Sequence, residues 1–168
     1  AGQNVPRLER SQGSSDVRNL KQAAKIFVDT RRNEIYVADG YGNHRVIVFD
    51  ADSGQYKRHW GAYGGVPVDA DPGPYVANQP PARQFRNPVH CVELSHDDLV
   101  YVCDRANDRI QVFRPDGTFV REAFFETYPG LVQWHKDMRD AVARHAQVRS
   151  LHGALRRLPS IRSVDDGI

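Results

Sequence analysis

The sequence contains one strand–turn–strand pattern twice. Residues 35–50, IYVADGYGNHRVIVFD, return in altered form as residues 100–114, VYVCDRANDRIQVFR. The copies align at an offset of 65 residues up to Asp39 and Asp104, and of 64 residues from Arg45 and Arg109 onward, because the first turn is one residue longer. Repetition of a small unit constrains the fold strongly, since each unit must bury its apolar face against a neighbour.

Each repeat holds four short segments rich in Val, Ile, Tyr and Phe, the composition typical of strands. The strands predicted in the first repeat are Lys25–Asp29, 35–38, Arg45–Asp50 and 55–60. Those predicted in the second repeat are Val89–Leu94, 99–103, 109–114 and 118–124. Four antiparallel strands joined by tight turns and then repeated are typical of a β-propeller blade. We therefore predict an all-β fold, a partial β-propeller of two four-stranded antiparallel blades.

The two blades, residues 24–60 and 88–124, divide the chain. Residues 1–23 are polar, with a Ser-Gln-Gly-Ser-Ser run, and predict a flexible lead-in. Residues 61–87 form an insertion loop rich in proline and glycine, which excludes a helix or a central strand. So long a loop is either a surface excursion or the rim of a site, and both interpretations remain open.

The tail, residues 125–168, lacks the blade pattern. Its apolar residues recur at helical spacing, which predicts a helix over residues 132–150 and a second short helix over residues 151–158. The residues that carry this spacing are Trp134, Met138, Ala141 and Val142. We expect an α-helical tail that is either a cap on the second blade or the product of translation out of frame.

Composition narrows the range of partners. A formal charge of +2, with basic residues scattered through the repeats, gives no reason to expect DNA and disfavours RNA. No apolar run approaches the roughly 20 residues that a membrane span needs. The chain begins with Ala1 and shows no signal-peptide core, so we expect a mature form or a fragment. Cys91 and Cys103 lie on neighbouring predicted strands, where a bridge is conceivable, but free packed thiols are favoured.

The motifs YVADGYGNHRV and YVCDRANDRIQVF resemble NHL repeats, the blades of six-bladed, TolB-like propellers. The resemblance covers residues 24–124 and is strongest to the peptidyl-α-hydroxyglycine α-amidating lyases and their bacterial NHL relatives. It implies cleavage of the N–Cα bond of a carbinolamide, a zinc ion held by three histidines on the propeller axis, and an extracytoplasmic or secreted location. Two of those histidines belong to blades that this chain does not show.

Three residues match positions of that family. His90 resembles a zinc ligand, Tyr41 resembles the base that acts on the substrate hydroxyl, and Arg105 resembles the arginine that steadies developing negative charge. Each has a plain alternative: a satisfied polar residue, an aromatic residue packed on the rim, and a partner of a neighbouring Asp. A catalytic zinc needs about three protein ligands, so one histidine does not make a site.

The other polar residues of the repeats are predicted to be structural. We expect the carboxylates of Asp39 and Asp104 to accept hydrogen bonds from turn backbone N–H groups. We interpret the histidines of the tail, His135, His145 and His152, as surface residues.

Two functions from different classes follow. The first is an NHL-repeat propeller fragment, derived from a lyase-like propeller, that acts as a binding or interaction module for a protein or a small peptide-like ligand. Its open blade edges offer a further surface for association. The alternative is a zinc-dependent enzyme of the peptidylamidoglycolate lyase type with only part of its site in this chain. Fold alone does not separate the two, so whether the chain is an enzyme stays open.

Overall fold

The computed structural model describes residues 10–76 and 79–125 and the strand Ile161–Ser163. The first sheet contains β1 (Lys25–Asp29), β2 (Glu34–Asp39), β3 (Arg45–Asp50) and β4 (Tyr56–Trp60), in that order. The second sheet contains β5 (Val89–Leu94), β6 (Val100–Asp104), β7 (Arg109–Phe113), β8 (Phe119–Phe125) and β9 (Ile161–Ser163), again in order. Every neighbouring pair is antiparallel. The all-β prediction of two four-stranded repeats is confirmed for this part of the chain.

The tail differs from its prediction at one place. The helices predicted over residues 132–150 and 151–158 lie outside the described residues. Strand β9, however, belongs to the tail and pairs with β8, with Ala123 opposite Ser163 and Phe125 opposite Ile161. A wholly helical tail is therefore wrong at this strand. Three residues are too few for a visible alternation, and the pairing depends on the edge that β8 presents.

The main core lies between the two sheets. It is formed by one face of each sheet together with two aromatic residues from outside the strand interiors, Trp60 at the end of β4 and Phe85 in the insertion loop. The ring centroid of Phe113 on β7 lies 5.8 Å from that of Trp60 and 6.3 Å from that of Phe85. Phe85 is fully buried, and burial of such a side chain contributes about 1.5–3 kcal/mol. The insertion loop is thus anchored in the core.

Corresponding faces of the two sheets point the same way. The face of the first sheet that packs on the second includes Tyr36, Ala38, Val46 and Val48. Their counterparts in the second repeat, Tyr101, Cys103, Ile110 and Val112, form a separate cluster on the opposite side of that sheet. The sheets therefore stack in the same sense, as successive propeller blades do, rather than face to face as in a sandwich.

Arg58 on β4 links the two sheets, because it bonds to a buried carboxylate in the first and to a carbonyl oxygen in the second repeat. Arg58 donates to Glu34 through Nη1 at 2.7 Å and Nη2 at 2.5 Å, while its Nε donates to the carbonyl oxygen of Pro115, 2.7 Å away in the second repeat. Burial by itself raises the pKa of Glu34, but hydrogen bonds from Arg58, Lys57 and Tyr36 outweigh burial and lower that pKa to about 2. The glutamate is therefore held ionised inside the structure.

The two cysteines form a disulfide, so the prediction of free thiols is wrong. Cys91 on β5 lies directly opposite Cys103 on β6, with their Cα atoms 4.8 Å apart. Opposed residues of an antiparallel pair bring their Cβ atoms within disulfide reach. The pairing of the two cysteines depends on the register of β5 on β6, which the sequence does not give.

The lead-in is bound to the first sheet where the structure describes it, from residue 10 onward. The buried guanidinium of Arg45 donates to the carbonyl oxygens of Ser14, Asp16 and Asn19, at 2.8, 2.6 and 2.9 Å. These carbonyls satisfy a buried cation, so part of the predicted lead-in contributes to the hydrogen bonding of the first sheet.

Asp39 and Asp104 are structural, but through partners other than the turn backbone. Asp39 accepts hydrogen bonds from the backbone N–H of Lys21 at 2.9 Å and from the Arg45 side chain at 3.0 and 2.9 Å. Asp104 accepts one from the backbone N–H of Arg86 at 3.0 Å and another from Arg109 Nε at 2.7 Å. The expected turn N–H donors are thus replaced by a backbone donor from the segment that precedes each blade and by a buried arginine.

No helix in the described part of the chain is long and apolar enough to cross a membrane.

Candidate functional site

The turn after β2 and the start of β5 meet at one end of the two sheets. Gly40 lies against the backbone of Val89, so closely that a Cβ on Gly40 would come within 2.0 Å of the Val89 carbonyl oxygen. A side chain at residue 40 is excluded by that contact. The Asn87 side chain holds the same turn, because its Nδ2 donates to the carbonyl oxygen of Tyr41 at 2.6 Å. Residues 40–41 of the first repeat are therefore placed beside residues 87–90, where the insertion loop enters the second repeat.

This approach brings together two of the three predicted site residues. Tyr41 Oη lies 3.1 Å from His90 Nε2, and the two rings meet edge to face with centroids 5.8 Å apart and planes at 77°. Tyr41 is 42% exposed, so solvent and ligands reach the pair. A phenol and an imidazole at this distance can share or pass a proton.

His90 owes its direction to a β-bulge. Val89 pairs with Asp104 and Cys91 pairs with Cys103, so His90 is the extra residue on its strand. A bulge re-aims the side chain of the extra residue and ends regular pairing there.

Arg105 stands apart from that pair. It begins the short 3₁₀ turn Arg105–Asn107 after β6 and is half-buried. Within the described part of the chain its side chain makes no hydrogen bond or ion pair, to Tyr41, to His90 or to a neighbouring Asp. The structure therefore brings Tyr41 and His90 together and shows no bond from Arg105 to either of them.

The described residues do not make a metal centre. Across residues 10–76 and 79–125, no group of three or more His, Cys, Asp or Glu side chains is arranged to hold a metal ion. Zinc takes about three protein ligands at a catalytic site, and the resemblance indicates His90 alone among the residues of this chain. These residues alone do not fit the zinc ion that the resemblance implies.

A cleft opens beside Asn87, between the insertion loop and the turns of the two blades. Its volume is about 400 Å³. Its lining includes His44, Asp71, Tyr75, Arg86, Asn87 and Ala106. Loop residues thus line a cavity that reaches Asn87, the residue whose side chain bonds to the carbonyl oxygen of Tyr41.

Sequence reasoning missed His44, and the structure gives it a defined tautomer. His44 Nδ1 lies 2.8 Å from the carbonyl oxygen of Phe85, and a carbonyl only accepts, so Nδ1 carries the proton. In the neutral ring Nε2 is then an acceptor on a cleft-lining residue. The one available signal was a difference between the repeats, since the residue that corresponds to His44 is Asp108.

Two opposite charges line the same cleft without pairing. Arg86 donates through Nε to Asn107 Oδ1, which fixes the guanidinium while its terminal nitrogens have no partner among the described residues. Asp71 Oδ1 accepts from the backbone N–H of Gly73 at 2.9 Å. The ion pairs within the described residues do not include Asp71 with Arg86, so their charged groups stay more than 4 Å apart.

Comparison with known proteins agrees with the repeat and with the resemblance. Residues 20–49 match the family model of the NHL repeat. The chain is 31% identical over 112 residues to peptidylglycine alpha-amidating monooxygenase of Rattus norvegicus, which covers 66% of this chain and 10% of that protein. It is 30% identical over 126 residues to peptidyl-glycine alpha-amidating monooxygenase A of Xenopus laevis, covering 73% of this chain and 12% of that protein.

The chain therefore matches only about a tenth of the length of these curated relatives. The family model of the NHL repeat covers β1, β2 and β3 up to its last residue but one, Phe49. The chain carries an NHL repeat and is similar, over about two-thirds of its length, to a segment of the peptidylglycine alpha-amidating monooxygenases.

Proposed function

We propose that this chain is a binding module that takes a protein or a small peptide-like ligand on the face formed by Tyr41, His90 and the insertion loop. One observation carries the proposal: a cleft of about 400 Å³ opens between loop and blades, and its lining residue Asn87 bonds to the backbone of the partly exposed Tyr41. Binding residues are commonly found on loops that a rigid scaffold holds in place. Here the scaffold is the two-sheet stack, and Phe85 anchors the loop in it.

The Cys91–Cys103 disulfide supports an extracytoplasmic location for this module. Disulfides persist in oxidising compartments and are rare in the cytosol of most organisms. Among the described residues β1 pairs with β2 alone, and we propose its other edge as a second surface on which another chain could add a strand.

A matched pair of variants tests where the ligand binds. Tyr56 is 40% exposed and its Oη lies 3.0 Å from His59 Nδ1, so it is a second exposed Tyr–His contact on another part of the first sheet. We expect short peptides, titrated into labelled protein and followed by NMR, to shift resonances around residues 41–44 and 86–90. Tyr41→Ala should weaken that binding and Tyr56→Ala should leave it unchanged. Equal effects of the two variants would remove Tyr41 from the binding face.

The Tyr41–His90 contact is also the one observation behind a second candidate function, the zinc-dependent peptidylamidoglycolate lyase type, whose zinc ion the described residues alone do not fit. It places the two residues that resemble the base and a zinc ligand 3.1 Å apart. The test is release of glyoxylate from a peptidyl-α-hydroxyglycine in the presence of zinc, with a parallel measurement of zinc retention. We expect His90→Ala to abolish both if the enzyme reading is right. If His90→Ala binds zinc as well as wild type does, and neither protein releases glyoxylate, the lyase candidate is wrong and only the binding function remains.

A further inference from the structure

We infer that the cleft recognises a zwitterion, a free amino acid or short peptide whose carboxylate meets Arg86 and whose ammonium meets Asp71. The inference rests on the proposed binding function and adds the chemical class of the ligand. It follows from two opposite charges that line one cavity of suitable size and do not neutralise each other.

Arg86 is held in place for an anion. Its backbone N–H donates to Asp104 Oδ1 at 3.0 Å and its Nε donates to Asn107 Oδ1, so main chain and side chain are both fixed. The terminal nitrogens remain available among the described residues. A guanidinium is charged at every ordinary pH, and its planar fork matches the two oxygens of a carboxylate.

Asp71 is held in place for a cation at the loop side of the cleft. Its Oδ1 accepts from the backbone N–H of Gly73, whose φ of +73° closes the local turn. Its Oδ2 has no hydrogen-bond partner within the described residues. A carboxylate oxygen with a free lone pair accepts from the three donors of an ammonium group.

Arg86 and Asp71 are free to bind a ligand because they do not form an ion pair with each other. Opposite charges that approach within 4 Å form an ion pair and satisfy each other, which Asp71 and Arg86 do not do. An inorganic anion would be attracted by Arg86 but repelled by Asp71. A simple cation would be attracted by Asp71 but repelled by Arg86. A molecule that carries both charges meets a favourable partner at each wall.

The remaining lining suits the body of such a ligand. A volume of about 400 Å³ falls at the small end of ligand pockets, which span roughly 300–1,000 Å³, and holds an amino acid or a dipeptide. Tyr75, 42% exposed, offers an aromatic surface for an apolar side chain. His44 Nε2 offers an acceptor for a ligand N–H.

The experiment compares four forms of one dipeptide, Gly-Leu: with free termini, N-acetylated, C-amidated, and blocked at both ends. Each is titrated calorimetrically into the protein at pH 7. A charge-assisted hydrogen bond is worth about 1.5–3 kcal/mol, so blocking either end should weaken binding about tenfold or more. The free dipeptide should bind best and the doubly blocked one worst.

Two variants assign the ends. Asp71→Asn keeps the acceptor for Gly73 and should erase the preference for a free amino terminus alone. Arg86→Gln should erase the preference for a free carboxyl terminus alone, and Arg86→Lys should restore part of it. Asp52→Asn and Arg114→Gln change the same charges at exposed residues outside the cleft lining and should change neither preference. Thermal unfolding of every variant shows whether the fold is kept.

The possible outcomes distinguish failure of the zwitterion inference from failure of the proposed binding function. Equal affinity for all four forms overturns the zwitterion and leaves a peptide-binding module. Binding of longer peptides at Tyr41, without binding of any dipeptide, does the same. If neither the dipeptides nor longer peptides bind, both the inference and the proposed function are wrong.

Discussion

Replacement of Glu34 by Gln should remove a definite, pH-dependent part of the stability. Glu34 is 4% exposed and accepts from Arg58, from Lys57 Nζ at 2.7 Å and from Tyr36 Oη at 2.7 Å. Gln has the same shape and no charge, so the variant tests the ionised carboxylate rather than the packing. The exposed Asp52→Asn is the matched control.

The magnitude follows from the pKa. The ordinary pKa of the glutamate is 4.5, and in the folded protein it is about 2. The difference corresponds to an upper limit of about 3 kcal/mol at roughly 1.4 kcal/mol per pKa unit. Lys57 is 35% exposed and its attraction is screened by solvent, so we expect about 2 kcal/mol.

The sign is fixed by the direction of the change. A carboxyl group whose folded pKa is lowered binds its proton less readily when folded, so its contribution is complete above about pH 4.5 and is lost as the pH falls toward 2. Wild type and Glu34→Gln should therefore differ by about 2 kcal/mol in free energy of unfolding at pH 7. The difference should shrink below pH 4.5 and vanish near pH 2.

The assay is urea unfolding at a series of pH values between 2 and 7, followed by circular dichroism, for wild type, Glu34→Gln and Asp52→Asn. The control should follow wild type at every pH. Parallel curves for wild type and Glu34→Gln would refute the reasoning, because the carboxylate of Glu34 would then titrate alike in the folded and unfolded states.

Three further perturbations have expected results. Reduction, or Cys91→Ser with Cys103→Ser, should lower the free energy of unfolding by about 2–3 kcal/mol, since the bond closes a loop of 12 residues; an unchanged urea midpoint would contradict this. Phe85→Ala should cost about 3–5 kcal/mol by leaving a cavity between the sheets, and a cost under about 1 kcal/mol would mean that the loop is not anchored there. Arg45→Met should cost about 3–5 kcal/mol by stranding a buried carboxylate, whereas Arg105→Met should change thermal stability little; equal losses would refute the distinction.

The strands could be predicted from the sequence because their signal is local. Alternation, β-branched residues and turn residues give β1, β3 and β5 at their observed bounds, and the repeat transfers each assignment from one copy to the other. The disulfide could not be predicted in the same way, since it depends on the register between two strands. A free packed thiol and a paired one have the same local sequence.

Some residues of the candidate site could be predicted from the sequence and others could not. Tyr41 and His90 were selected by resemblance, and the structure brings them into contact although they lie 49 residues apart. Arg105 was selected in the same way and makes no such contact. Asp71 and Arg86 were missed, because the cleft exists only once the insertion loop has folded back over the turns. The path of a loop without periodicity leaves no pattern in its sequence.

Each blade is locked to the stretch of backbone that comes before it. Asn19 and Gln84 occupy matching places in the two repeats, and the carbonyl oxygen of each accepts from the buried arginine of its own blade, at 2.9 and 3.1 Å. The smallest segment that can be moved to another protein as an intact blade is therefore longer than its four strands. A blade grafted into another propeller should carry the preceding backbone at least as far as the residue that corresponds to Asn19 or Gln84. A graft that starts at Val89 would leave the buried guanidinium of Arg109 without the oxygen that it needs inside a new host.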